Sequence, residues 1–376
     1  MPAIPRMAAA CAAAAALATA GLATAPAAGA LGRPGAAFLN RFHEITTIAS
    51  TVPVNGDVNP YGTAVIGRST GRLVAGDVLV SNFNDRANLQ GTGTTIVQVA
   101  PGGQRTLFAR VSRGMLPGRC PGGVGLTTAL VALRSGWVIV GSTPSRDGQA
   151  ATSGPGCLIV LDSRGHVAET IAGHGINGPW DATALDRGAS ADLFVTNVLN
   201  GTVAAGGAVV HRGTVLRLGL AISAARPPQL RSVTTIGSGF GEQTSATAFV
   251  VGPTGLGLGR GGLLYVADTG ANRITAIPAA ATRRSSAGTG QPVTAGGALS
   301  APLGLAIAPG GDVLTVNGGD GQIVETTPAG QQIATRFLDH SGSPPGSGAL
   351  FGLAITPGAS GIYYVDDAVN TLRLLH

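Results

Sequence analysis

The feature that most restricts the fold is a three-strand unit that returns six times. Its clearest copy runs from Gly252 to Pro278. Pro253-Thr254-Gly255-Leu256 opens a short apolar strand, and Arg260-Gly261-Gly262 turns it. Leu263 to Ala267 is a second, fully apolar strand, Asp268 to Asn272 turns again, and Arg273 to Ile277 alternates as a third strand should. One such unit cannot bury both faces of its sheet, so copies must pack on either side. Sixty glycines and 23 prolines would suggest low complexity, but 44% hydrophobic content supplies a core. Glycines spaced beside short apolar runs are the pattern of a turn-rich all-β fold.

The second strand aligns the copies. It reads Asp77 to Asn82, Trp137 to Ser142, Asp192 to Asn197, Leu263 to Asp268, Asp312 to Asn317 and Gly361 to Asp366. Every copy ends on a small polar residue: Asn82, Ser142, Asn197, Asp268, Asn317 and Asp366. Upstream of each lies a first strand opened by a Pro-x-Gly-like step: Pro60-Tyr61-Gly62, Pro179-Trp180-Asp181, Pro253-Thr254-Gly255, Pro302-Leu303-Gly304, and, degenerate, Leu350-Phe351-Gly352 and Thr127-Thr128-Ala129. Glycine there suits an innermost strand where several backbones crowd one axis. Third strands follow at Thr95 to Val99, Cys157 to Leu161, Thr214 to Leu218, Arg273 to Ile277, Gln322 to Thr326 and Thr371 to Leu375. Fourth strands are expected at Arg105 to Ala109, His166 to Ile171, Arg231 to Ile236, Pro292 to Ala295 and Gln332 to Phe337. The sixth copy stops at His376 without one, and Glu44 to Ile48 is expected to supply it. The fold expected is an all-β, six-bladed β-propeller over residues 42–376, with an N-terminal strand closing the last blade and leaving no open sheet edge.

The pattern Pro-x-Gly-Leu, then Leu264-Tyr265-Val266-Ala267-Asp268-Thr269-Gly270 with Asn272-Arg273-Ile274, resembles the NHL repeat of β-propellers. The resemblance is strong over 252–278, fair over 302–338 and 350–376, and loose over 59–236. NHL-like propellers are similar in fold to gluconolactonase-type and senescence-marker lactonases, peptide-amidating lyases and streptogramin lyases, and many others are binding scaffolds. The resemblance therefore implies architecture and leaves function open. For the lactonases it implies a metal over the channel mouth with a glutamate from early in the first blade. This chain has no glutamate between Glu44 and Glu169.

Residues 1–30 read as an export signal: Arg6, an alanine-rich apolar run from Met7 to Ala25, then Ala28-Gly29-Ala30 as a small-residue cleavage site. Residues 31–41 are expected to be a flexible tail. A secreted or periplasmic location follows, with no membrane span after signal cleavage. Cleavage leaves Cys120 and Cys157, which in an exported chain are expected to pair as one disulfide. The net charge of +6 comes from 24 arginines and no lysine. They are scattered singly apart from Arg283-Arg284, so no nucleic-acid partner is expected. A monomer is.

The polar column ends strand two on the face that also carries the insertions Phe83 to Gly93, Thr143 to Gly156 and Val198 to Gly213. Two readings stand. The side chains cap the turns that follow them, or they converge at the channel mouth on a ligand. In the second reading Asn82, Trp180, Asn197 and Asn317 would bind a small polar ligand, glycan or protein. Asp181, Asp268 and Asp366 would hold a divalent cation, calcium or magnesium, since oxygen sets suit hard ions. No cofactor is certain. Candidates for catalysis are His174 and Asp181, the latter standing where the repeat has glycine, with His340 a lesser one. A binding scaffold is thus the first expectation and a metal-dependent lactonase or lyase the alternative. Gly257-x-Gly259-x-x-Gly262 matches a dinucleotide fingerprint by letter, but a strand follows it, not the helix that fingerprint needs.

Overall fold

A computed structural model describes residues 36–376. The segment expected to be an export signal lies outside the described residues, as do residues 31–35 of the tail. Six antiparallel sheets make the six blades of a β-propeller. Blade one is Val58–Val65, Val78–Asn84, Thr95–Val99 and Arg105–Arg110. Blade two is Leu126–Ala132, Val138–Ser142, Cys157–Leu161 and Val167–Ile171. Blade three is Gly178–Asp186, Ser190–Val198, Val210–Ala221 and Gln229–Ser245, with a fifth strand, Phe249–Val251. Blade four is Pro253–Leu258, Leu264–Asp268, Arg273–Ile277 and Gln291–Ala295, and blade five is Pro302–Ile307, Val313–Asn317, Gln322–Thr326 and Gln332–Phe337.

Blade six joins the two ends of the described chain. Leu350–Ile355, Ile362–Asp366 and Thr371–Leu375 are completed by Ile45–Ser50, which pairs antiparallel with the last strand from Ile45 opposite Leu375 to Ser50 opposite Thr371. The expected closure is therefore present. The end of the segment expected to be a flexible tail is instead packed. Phe38–Arg41 forms a 3-10 turn whose Phe38 and Leu39 are buried with Phe42 against blades five and six. The backbone N–H groups of Phe38 and Leu39 each donate to the buried Glu325 carboxylate, both at 2.8 Å.

Packing follows from the two-sided apolar second and third strands. Leu79 and Ile96 of blade one meet Leu130, Val138 and Ile159 of blade two. Val78, Val80 and Val97 meet Tyr363, Val365 and Leu372 of blade six. The core is thus a series of layers between neighbouring sheets, as expected when each unit needs its neighbours to bury both faces. Cys120, in the segment leading into blade two, bonds to Cys157 at the start of its third strand, with the Cα atoms 5.3 Å apart.

Two outcomes test this frame. Deleting residues up to Ser50 should give insoluble or markedly lower-melting protein, because it bares the edge of Thr371–Leu375 and removes the tie between the first and last sheets in a fold whose net stability is on the order of 5–15 kcal/mol. A truncated protein melting like the parent would refute closure as a stabilising element. Replacing both Cys120 and Cys157 by Ser should cost about 4 kcal/mol by chain entropy for a 37-residue separation, measurable by denaturant titration.

Candidate functional site

The six first strands surround the axis, and each bulges just after its start. The register slips between Pro60 and Thr63, Leu126 and Leu130, Pro179 and Asp181, Pro253 and Leu256, Pro302 and Leu305, and Leu350 and Leu353. At the bulge, the backbone of one blade meets that of the next. A Cβ on Gly255 would overlap the carbonyl of Leu303, one on Gly304 that of Phe351, and one on Gly352 that of Tyr61. Blade three breaks this rule. Asp181 stands at the glycine position, and its Oδ2 accepts a hydrogen bond from the Leu256 N–H of blade four at 3.0 Å. Its Oδ1 accepts from the Ala182 N–H at 2.8 Å.

Along the axis runs a cavity of about 600 Å³ walled by all six first strands. Its wall mixes polar and apolar groups: Leu258, Leu303 and Ile307 are part-exposed along it, Leu130, Leu256, Leu305 and Leu353 are buried behind it between the blades, and Thr63, Thr128, Thr183 and Thr254 add hydroxyls. Asp181 is its one acid deep in the wall, half-buried and with no ion-pair partner among the described residues. Burial pushes its carboxyl up to about 7, against the backbone N–H groups of Ala182 and Leu256 that pull it down. Arg134 and Asp186 sit together where the first strands end, the Arg134 N–H donating to Asp186 Oδ2 at 2.7 Å. Arg134 and Gly67 are exposed there, so the channel is reached from that end.

The opposite end, level with the polar column, is filled by aromatic rings. Tyr61 stacks on Phe351 (4.0 Å between centroids) and Phe83 (4.8 Å), and Trp180 stands edge-on to Tyr61 at 5.7 Å. Phe249 completes the group, 5.3 Å from Phe83 and 6.3 Å from Trp180. It comes from a hairpin that the sequence reading missed. The fourth strand of blade three, expected over Arg231 to Ile236, continues to Ser245 and turns back at Phe249–Val251. The short apolar run Phe249-Val250-Val251 after a polar stretch was the available signal. The hairpin is tied across the face: Gln90 Nε2 donates to the Thr247 carbonyl at 3.0 Å, and Ser145 N–H to the Gly91 carbonyl at 2.9 Å. The insertions of blades one and two thus join this hairpin as a lid.

The polar column lies outside the channel lining. Asn82, Ser142, Asn197, Asp268, Asn317 and Asp366 are all fully buried, and none lines the channel. Four of them hold the chain arriving from the previous blade. Asn82, Asn197 and Asn317 donate Nδ2 to the carbonyls of Thr51 (3.1 Å), Gly175 (2.9 Å) and Ala298 (2.8 Å), and Ser142 donates Oγ to Gly123 (3.0 Å). Asp268 and Asp366 instead bind Arg273 and Arg373, each at 2.8 Å. Each of those carboxylates is already faced by a guanidinium, which removes the net negative charge a cation would need. Among the described residues no three His, Cys, Asp or Glu side chains gather closely enough to hold a metal. Asp181, Asp268 and Asp366 are therefore not assembled as a metal set, and these residues do not fit one.

The other expected positions also separate. Trp180 is buried in the aromatic group, its face taken by protein rings. His174 is exposed in a tight turn with φ of 53°, beside a surface cleft that includes Glu169 and Arg226 and does not include Asp181. His340 stacks on Phe337 at 4.6 Å.

The Asp181 environment has a consequence for stability. In the unfolded chain this carboxyl ionises near pH 4, whereas in the fold it stays protonated to about 7. Stability from the neutral form is thus full below pH 4 and is lost as pH rises toward 7. Asp181→Asn removes that dependence, so its melting temperature should gain on the parent's between pH 4.5 and 7.5. Glu242 and Asp367, also pushed up to about 7 by burial, keep the remaining slope in both proteins. Parallel melting curves across that range would contradict a desolvated Asp181.

No protein-family model matches the sequence. No curated protein matches it either. Among solved structures the chain is similar in fold to a gluconolactonase from Xanthomonas campestris, at 12% identity over 88% of each chain and a TM-score of 0.54. It is similar to the calcium-binding protein regucalcin from Agrobacterium tumefaciens, at 12% identity over 88% of this chain and 93% of that one, TM-score 0.54. A luciferin-regenerating enzyme gives the same TM-score at 12% identity over 89% and 95%. At this identity the similarity concerns the fold, a six-bladed propeller shared with lactonase-type proteins.

Proposed function

We propose that the protein is an exported, monomeric binding propeller of the NHL-like type that holds a small molecule in its axial channel. The observation that carries this reading is the channel itself. It has about 600 Å³ of space, within the range of small-molecule sites, a wall of mixed polar and apolar groups, and one acid at a position where the repeat has glycine. The reading moves the ligand from the looped face, where the aromatic group and its lid fill the mouth, to a channel entered from the other side. Export is supported by the residues 1–30 pattern and by the Cys120–Cys157 bond, which suits an oxidising compartment. Among the described residues no helix is long and apolar enough to cross a membrane.

A metal-dependent lactonase or lyase finds little support in these residues. A carboxyl poised near neutrality does suit general acid or base work, which favours an enzymatic use of Asp181. It lacks a second catalytic group, since His174 lies outside the channel.

Titration with the neutral fluorescent probe N-phenyl-1-naphthylamine tests the reading. Emission should rise and saturate with the parent protein. Ala306→Phe and Thr183→Phe, which fill the channel from two blades, should each lower the affinity at least tenfold, while Leu89→Ser on the looped face leaves it unchanged. No saturable emission, or filled variants that bind like the parent, would overturn it.

A further inference from the structure

Resting on that reading of the channel, we infer that its ligand is a protonated amine with an apolar body, the ammonium set against the Asp181 carboxylate. Five of the six blades manage the axial contact without a charge: four use glycine, and blade two uses Ala129. The fold therefore does not require a carboxylate at Asp181, and desolvating one is costly. Its two bonds to protein come from backbone N–H groups, one per oxygen, and fix the carboxylate in one orientation. A carboxylate offers about four acceptor sites, so roughly half its capacity remains for a donor in the channel. No arginine or histidine fills that role within ion-pair distance among the described residues.

The other polar groups on the wall narrow the choice. The Thr128 hydroxyl donates to the Trp180 carbonyl, and Thr254 Oγ1 is taken up by Thr269 at 2.8 Å. The charged groups facing Asp181 can be taken strand by strand. Blade two contributes Arg134 and blade three Asp186, both at the open rim, where the Arg134 backbone N–H donates to the Asp186 carboxylate, and the first strands of blades one, four, five and six contribute none. An anion would meet the only acid of the inner wall, and a neutral hydrocarbon would leave it more desolvated still. A hard divalent cation needs six or more oxygens, which one carboxylate and scattered hydroxyls do not provide. An ammonium needs one strong acceptor and some apolar surface for its chain, and the part-exposed Leu258, Leu303 and Ile307 offer that surface on the wall.

Calorimetric titration of the full chain with hexylamine, hexan-1-ol and hexanoate separates the cases. Hexylamine should bind at pH 8 at least tenfold tighter than hexan-1-ol, and hexanoate not measurably. Because the amine stays protonated while Asp181 must ionise, hexylamine affinity should fall about tenfold per pH unit below about 7. Asp181→Asn, with fold checked by circular dichroism, should bind the amine no more than threefold better than the alcohol, at any pH. Equal affinity for amine and alcohol in the parent, tighter amine binding at pH 5 than at pH 8, or an Asn variant that keeps the amine preference would each overturn the inference. If the neutral probe binds and is displaced from the filled variants but the amine shows no preference, this inference alone fails. If the probe does not bind either, the channel reading fails with it.

Discussion

The whole ring depends on six first strands approaching one axis closely enough for backbone to touch backbone. At Gly255, Gly304 and Gly352 the neighbour's carbonyl occupies the place a side chain would need, and the bulge in each first strand brings that carbonyl into position. Side chains there would push the blades apart and open the layers in which Leu79 meets Leu130 and Val78 meets Val365. Interiors packed at crystal-like density tolerate little of that displacement. Gly62, Gly255, Gly304 and Gly352 thus answer to axial geometry, whereas many more of the glycines sit at positive φ in turns.

Architecture was legible because its signals are local and repeated. Turn residues and period-two strands recur at each blade, and Glu44 to Ile48, patterned like Val233-Thr234-Thr235-Ile236 of blade three, could be expected to pair beside Thr371–Leu375. Ile45–Ser50 does this, and the Cys120–Cys157 pairing followed from there being two cysteines on one face of one blade. The polar column was equally visible, but repetition was a poor guide to its chemistry. A residue type kept in every blade answers a need present in every blade. For Asn82, Ser142, Asn197 and Asn317 that need is the carbonyl of the chain arriving from the previous unit. Asp268 and Asp366 meet the same level of the sheet with arginines five and seven residues on.

Departures from the repeat were the better guide to a site, and those that depend on distant contacts were not legible. Asp181 could be singled out because it interrupts a glycine position, and it does face the axis. His174, four residues before the start of the same strand, could not be placed, because a left-handed residue in a tight turn carries its ring away from the channel wall to a separate cleft. The lid was harder still. Phe249 meets Phe83 and Trp180 only after a hairpin from blade three crosses the face and bonds to Gln90 of blade one. Nothing within a window of ten or so residues encodes that meeting.

The lid and the acid are physically linked. A propeller channel open at both ends would admit water along its length, and a carboxylate in its wall would stay hydrated and ionise near its ordinary value. Tyr61, Phe83, Trp180, Phe249 and Phe351 close the end nearest Asp181, so water reaches the carboxyl from one end only, and burial raises it to about 7. Two backbone N–H groups hold it in place and partly offset that cost. The symmetric scaffold sets where a side chain at this position must point. The asymmetric additions set how polar its surroundings are, and so how strongly it would respond to a charge brought into the channel.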